Sequence, residues 1–101
     1  MKYKTFNDLE FKQHPNFPKD AKQAIIFFPN DYGASVVIGK MLYSNGVDTY
    51  EIACLHKDDK NPMGWSLVYP ENTSFQNDVR GYCTKEEITK LMEEIQNYGK
   101  I

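Results

Sequence analysis

A chain of 101 residues that is 41% hydrophobic and 26% charged reads as one soluble globular domain, residues 1–101, and not as a disordered tail. Its 14 acids are interleaved with 12 bases for a net charge of −2. That balance supplies neither the basic face that direct nucleic-acid binding needs nor an acidic mimic of it. The longest apolar run, Ala24 to Phe28, is too short to span a membrane as a helix. The only cysteines are Cys54 and Cys83; with no signal peptide ahead of them, they are read as reduced thiols in a cytoplasmic protein.

In chain order, Phe6, Leu9 and Phe11 alternate weakly with polar neighbours, and Leu9 to Gln13 is predicted as a short strand. His14 to Pro18 carries two prolines and is predicted as a loop. Three β-branched and aromatic runs follow: Ala24 to Phe28, Ala34 to Tyr43, and Thr49 to His56. The clusters Asn30-Asp31-Tyr32-Gly33 and Ser44-Asn45-Gly46-Val47-Asp48 separate them, which is the pattern of consecutive antiparallel strands. Asn45-Gly46 is a strong hairpin signal. In the third strand Val36, Ile38 and Leu42 share one side, while Val37, Met41 and Tyr43 share the other. In the fourth, Tyr50, Ile52 and Cys54 oppose Glu51, Ala53 and Leu55. Both faces of the sheet centre are therefore apolar, and both need a cover.

The mixed-charge loop 57–64 precedes a strand over Trp65 to Tyr69. Glu71 to Tyr82 is irregular, with Phe75, Val79 and Tyr82 as expected anchors. Thr84 with Glu87 three residues on forms a capping box. Ile88, Leu91, Met92, Ile95 and Tyr98 then follow at helical spacing, and Gly99 stops the helix. The fold class is α+β: an antiparallel sheet of about five strands, ordered as a meander, with one C-terminal α-helix packed on one face. One helix covers one face. The two-sided apolarity predicts a two-fold homodimer, the competing arrangement being Phe6, Phe11 and Phe17 folded back over the second face.

The residues that could carry chemistry do not converge. His14, Cys54, His56 and Cys83 lack the paired spacing of a zinc site, apart from Cys54 and His56 two positions apart. No metal or cofactor is expected. Cys83 with His14 or His56 could pair as nucleophile and base, but no motif supplies an oxyanion hole or an orienting group, and no catalytic residue is assigned. Asn30-Asp31-Tyr32-Gly33 could cradle an anion, yet it lacks repeated glycines and a following helix. It is read as a hairpin turn with a tyrosine at its tip. Asp58-Asp59 has no calcium-loop spacing behind it and is read as solvated. Tyr32, Tyr43, Tyr50, Trp65, Tyr69 and Tyr82 fit an interface and a small β-core equally well.

Phe6-Asn7-Asp8-Leu9-Glu10-Phe11-Lys12 with His14-Pro15, Asn30-Asp31-Tyr32-Gly33-Ala34-Ser35-Val36-Val37-Ile38-Gly39 and Tyr50-Glu51-Ile52-Ala53 resembles small uncharacterised proteins encoded in bacteriophage and prophage genomes. Asp78-Val79-Arg80-Gly81-Tyr82 and Thr84-Lys85-Glu86-Glu87-Ile88 extend the likeness almost to the C-terminus. That family is expected to read Asn-Gly-Tyr-Gly at the turn; Asp31 stands here in place of its first glycine, which argues against an obligatory close backbone approach to a ligand. The resemblance implies a phage accessory protein in the bacterial cytoplasm and brings no catalytic residues with it. By analogy such a protein acts by stoichiometric binding. The reading is an anti-defence inhibitor that grips a host defence protein, for example a CRISPR effector, through Tyr32, Tyr43, Tyr50, Trp65, Tyr69 and Tyr82. The alternative is a sponge that sequesters a small nucleotide signal between protomers.

Overall fold

The computed structural model describes residues 3–16, 19–39 and 44–98. Six strands, β1 (Lys12–Gln13), β2 (Ala21–Phe27), β3 (Tyr32–Gly39), β4 (Tyr50–Lys57), β5 (Trp65–Leu67) and β6 (Arg80–Cys83), precede one helix, α1 (Lys85–Asn97). The first five form an antiparallel meander in sequence order, and β6 also pairs with β4. β5 lies against Leu55, His56 and Lys57, while β6 meets Tyr50 and Ile52, so the two short strands share one edge of β4 end to end. The architecture is α+β, as the hairpin signals and the single capped helix predict.

The bounds differ from the sequence expectation where side chains override periodicity. The chain segment expected to begin a strand at Leu9 instead winds a 3-10 turn over Phe6–Asp8. Asp8 accepts from the Thr5 amide at 2.8 Å and closes a local capping box there. Only Lys12 and Gln13 remain to pair with β2. β2 starts at Ala21 and takes in the polar Lys22 and Gln23. Met41, Leu42 and Tyr43, expected to continue the third strand, lie outside the described residues, as do Phe17 and Gly99. Before β4, Asn45 organises a wider loop than a two-residue hairpin: its Oδ1 accepts from the amides of Val47, Asp48 and Thr49 at 2.8–3.1 Å.

The pleat sorts the strands into two faces, because residues paired across an antiparallel ladder lie on the same side. Ala24, Val36 and Ile52 form one such row, and Ala34 and Cys54 stand beside them. Against this side pack Ile88, Met92 and Ile95 of α1, all nearly or fully buried, together with Phe75 from the 71–79 loop. Leu91 sits half-buried at the rim of the helical stripe. The capping box forms as expected, with Thr84 Oγ1 accepting from the Glu87 amide at 3.3 Å and Glu87 Oε1 accepting from the Thr84 amide at 2.9 Å. Those bonds hold the Glu87 carboxyl below its ordinary pKa.

The N-terminal segment joins the helix on that same side. Phe6 and Phe11 pack their rings on Tyr50 at centroid distances of 5.0 and 5.7 Å. The Lys4 amide donates to Gln96 Oε1 at 2.8 Å, Gln96 Nε2 donates back to Lys4 O at 2.9 Å, and the Phe6 amide donates to Thr89 Oγ1 at 3.1 Å. Phe6 and Phe11 therefore do not close the second face of the sheet, as the competing arrangement required. They thicken the first.

Candidate functional site

The face turned away from α1 is built from the alternate residues of the same strands. Leu55 pairs with Gly33 on one side and Leu67 on the other, and Lys57 pairs with Trp65. The Val68 amide continues the β5 ladder by donating to Cys54 O at 3.0 Å. Val68 packs into the helix-side cluster, so alternation turns Tyr69 to the opposite face. Ile25, Leu67 and Tyr69 are 41%, 48% and 48% exposed, whereas Leu55 between them is fully buried.

Gly33 explains how Leu55 is covered without a second layer. A Cβ on Gly33 would stand 2.6 Å from Phe27 Cδ1, so the absent side chain is what lets the Phe27 ring lie across the sheet. The Lys57 ammonium sits 5.8 Å from the centroid of that ring. Further along the same face Gln23 Nε2 donates to Ser35 Oγ at 2.9 Å, which marks a polar end to the apolar surface.

The six aromatic residues singled out in the sequence are divided by the pleat. Trp65 and Tyr69 belong to the open face. Tyr50 is buried under Phe6 and Phe11 on the helix side. Tyr32 is also on the helix side, its ring edge-on to Tyr98 at 5.0 Å and to His56 at 4.6 Å. Tyr82, expected as an anchor, is 61% exposed and holds a left-handed backbone (φ 53°) where the pairing of β6 with β4 shifts register. Tyr43 lies outside the described residues. Sequence reasoning missed Ile25, Phe27 and Leu67 as surface residues. The period-2 alternation from Leu55 through its partners was the signal that could have found them.

The Asn30-Asp31-Tyr32-Gly33 segment proves to be a structural clamp. Asp31 N–H donates to Phe28 O at 3.0 Å and closes the turn, so Tyr32 begins β3 rather than standing at a hairpin tip. Asn30 Nδ2 donates to the Ile95 and Tyr98 carbonyls at 2.9 and 3.2 Å, and its Oδ1 accepts from the Tyr32 amide at 3.1 Å. The side chain thus gives a second donor to Ile95 O, which also accepts from the Tyr98 amide at 3.1 Å, and a donor to the Tyr98 carbonyl at the C-cap of α1. Asp31 occupies a left-handed backbone (φ 67°), the conformation a glycine would hold most easily.

The groups considered for catalysis are spread over the sheet. His14 follows β1 at one edge, while Cys83 ends β6 on the far side of β4, and His56 lies at the other end of β4 from the Tyr50–Cys83 pair. Burial pushes the Cys54 thiol up to about 12, with Glu94 adding to the shift. The Cys83 thiol is also raised, by burial first and Glu87 second, against an opposing pull from Arg80. Both are free cysteines and both are held protonated at neutral pH. Among the described residues no group of three or more His, Cys, Asp or Glu is placed to hold a metal ion. Among them, too, no helix is long and apolar enough to cross a membrane.

No protein-family model, no curated protein and no solved structure matches this chain.

Proposed function

We propose that this protein is a small non-catalytic binding module that acts by occupying a protein partner with the open face of its sheet. The observation that carries this reading is the apolar surface of Ile25, Phe27, Trp65, Leu67 and Tyr69 on the side away from α1. Tryptophan and tyrosine bury large area at little conformational cost, and a β-sheet presents them on a rigid platform. The resemblance to phage-encoded proteins supports a partner by analogy with small phage accessory proteins that act by stoichiometric binding: a bacterial defence protein such as a CRISPR effector. The activity is inhibition by stoichiometric occupancy in the host cytoplasm.

The test combines binding with biology. Wild-type protein, Leu67→Glu on the open face and Glu93→Ala on the exposed side of α1 are expressed in cells that carry an RNA-guided nuclease defence. Wild type and Glu93→Ala are expected to restore plaque formation by a targeted phage and to co-purify with the effector at a fixed ratio. Leu67→Glu, folded by circular dichroism, is expected to lose both. Equal behaviour of all three variants would remove the open face from the function.

A further inference from the structure

Of the eight asparagines in the chain, only Asn45 is followed by glycine. Glycine has no Cβ to crowd its own amide nitrogen, so this is the pair best able to react with itself. The Gly46 nitrogen and the Asn45 side-chain amide carbon sit on adjacent residues, which makes the attack intramolecular. Both residues are exposed, so water and base reach them. The loop nevertheless ties both reacting groups down. Asn45 Oδ1 accepts from the amides of Val47, Asp48 and Thr49 at 2.8, 3.0 and 3.1 Å. Asn45 Nδ2 donates to Asp48 Oδ1 at 2.7 Å, and the Asn45 N–H donates to Thr49 Oγ1 at 2.9 Å. The Gly46 N–H is engaged as well, donating to Ser44 Oγ at 2.9 Å. The same hydroxyl oxygen accepts from the Gly39 amide at the end of β3 at 3.0 Å. Ser44 is buried, so this latch is fixed in the body of the fold.

In the closed loop the nucleophile and the amide it attacks are therefore both occupied. Cyclisation takes the proton from the Gly46 nitrogen, which breaks its bond to Ser44 Oγ. It also brings Asn45 Cγ to bonding distance, which displaces Oδ1 and Nδ2 from residues 47–49. The reaction accordingly follows local opening of the loop. Once the loop is open, solvent base removes the Gly46 amide proton and the nitrogen forms a bond to Cγ. Nδ2 then leaves as ammonia, taking a proton from water. Water opens the resulting succinimide at either carbonyl. Cleavage of the new N–Cγ bond gives an aspartyl residue; cleavage of the original peptide bond gives an isoaspartyl one, whose backbone runs through Cγ. Either product carries a carboxylate where Nδ2 donated to Asp48, so two like charges meet at that contact. The isoaspartyl product also reroutes the chain, and the amides of 47–49 lose the oxygen on which they converge.

We infer that Asn45 is a self-modification site, converting through a succinimide to aspartyl and isoaspartyl forms when the Ser44 latch opens. The site lies at the opposite end of β4 from Trp65 and is separate from the partner surface around Leu67. Purified wild type is aged in mildly alkaline buffer, folded and in urea, and each asparagine is read by peptide mapping with mass spectrometry. In urea, Asn45 is expected to convert faster than the other seven asparagines. In the folded chain its conversion is expected to be at least about tenfold slower. Ser44→Ala removes the acceptor of the Gly46 N–H. It is expected to raise the folded rate about three- to tenfold and to leave the urea rate unchanged. Leu67→Glu is expected to alter neither rate, which separates a failure of this inference from a failure of the proposed function. Should Ser44→Ala not fold, Asp48→Ala takes its place with the same expectation, since it frees Nδ2 from an exposed position. Hydrogen exchange of the isoaspartyl product is expected to show the Val47, Asp48 and Thr49 amides losing protection while β2 to β4 keep theirs. Absence of conversion at Asn45 in urea, equal folded and unfolded rates, or a folded rate that neither latch variant moves would overturn the inference.

Discussion

The two faces of the β2–β3–β4 sheet are made by alternate residues of the same strands, yet they are covered by different means. On one side Val36, Ile52 and Cys54 lie under α1, Phe75 and the N-terminal aromatics. On the other, Leu55 reaches full burial beneath side chains of its own sheet, Phe27 leaning over Gly33 and Leu67 standing alongside. Burial alone therefore does not distinguish a core from a surface. The difference lies in whether the covering group is itself covered: Ile88 is fully buried, while Leu67 is about half exposed. A layered face stabilises the fold, and a self-covered face stays available for contact.

Truncation on the two sides gives the sharpest break. Ile88→Ala is expected to cost about 2–5 kcal/mol, since α1 and the sheet cannot both close on the cavity. Leu67→Ala is expected to cost about 0.5 kcal/mol, within the usual range for surface positions. Leu91→Ala should fall between them because Leu91 sits at the rim. Urea denaturation of the three variants gives the order; near-equal losses at Ile88 and Leu67 would mean that both faces are layered.

Alkaline pH probes the helix side selectively. The Cys54 proton is held more tightly in the folded chain than in the unfolded one, with the folded thiol pushed up to about 12. The stabilisation is fully present below the ordinary thiol pKa of about 8.5 and is lost as pH rises toward the folded value. At its steepest the loss is about 1.4 kcal/mol per pH unit. Tyr32 and Tyr50, both raised first by burial, add to the decline in the same direction. Cys54→Ala is expected to flatten the fall in stability between pH 9 and 11, read from urea midpoints at fixed pH.

Two polar contacts refine the comparison with smaller effects. Asn30→Ala removes the amide that reaches the Ile95 and Tyr98 carbonyls and is expected to cost about 1–3 kcal/mol, with earlier fraying of the last helical turn in hydrogen exchange. Thr84→Ala removes the acceptor of the Glu87 amide and is expected to cost about 1 kcal/mol by thermal or chemical denaturation.

Much of the layered side is legible in the amino-acid sequence. The capping box at Thr84 and the Ile88, Met92, Ile95 stripe are local, spaced by the helix itself, and need no distant information. The alternation in β3 and β4 likewise separates Val36 and Ile52 from Val37 and Ala53 by period alone. What the sequence hides depends on long-range partners. Phe6 and Phe11 are placed by Tyr50, some forty residues on, and nothing near them says which face they will take. β6 lies in an aperiodic stretch and forms because β4 offers it an edge, with Tyr82 in a left-handed conformation that no local pattern announces. Residue type picks out the aromatic set, but its division between faces follows strand register. The Asn-Asp-Tyr-Gly motif reads locally as a turn, whereas its anchoring of a helix end needs Ile95 and Tyr98 to be in place.

The paired hydrogen bonds between Lys4 and Gln96 have a topological consequence. They bring the two ends of the described chain side by side, so the path from residue 4 to residue 96 is nearly a closed ring. A ring has no privileged opening. A short linker joining residues 3 and 98, with new termini cut into the exposed loop at Asp59 and Lys60, leaves every strand pairing and the α1 contacts intact. Such a permuted chain would place β5, β6 and α1 ahead of β1 to β4 in synthesis. The helix would then be made before the central strands it covers, and the order of assembly could be altered without changing the finished fold.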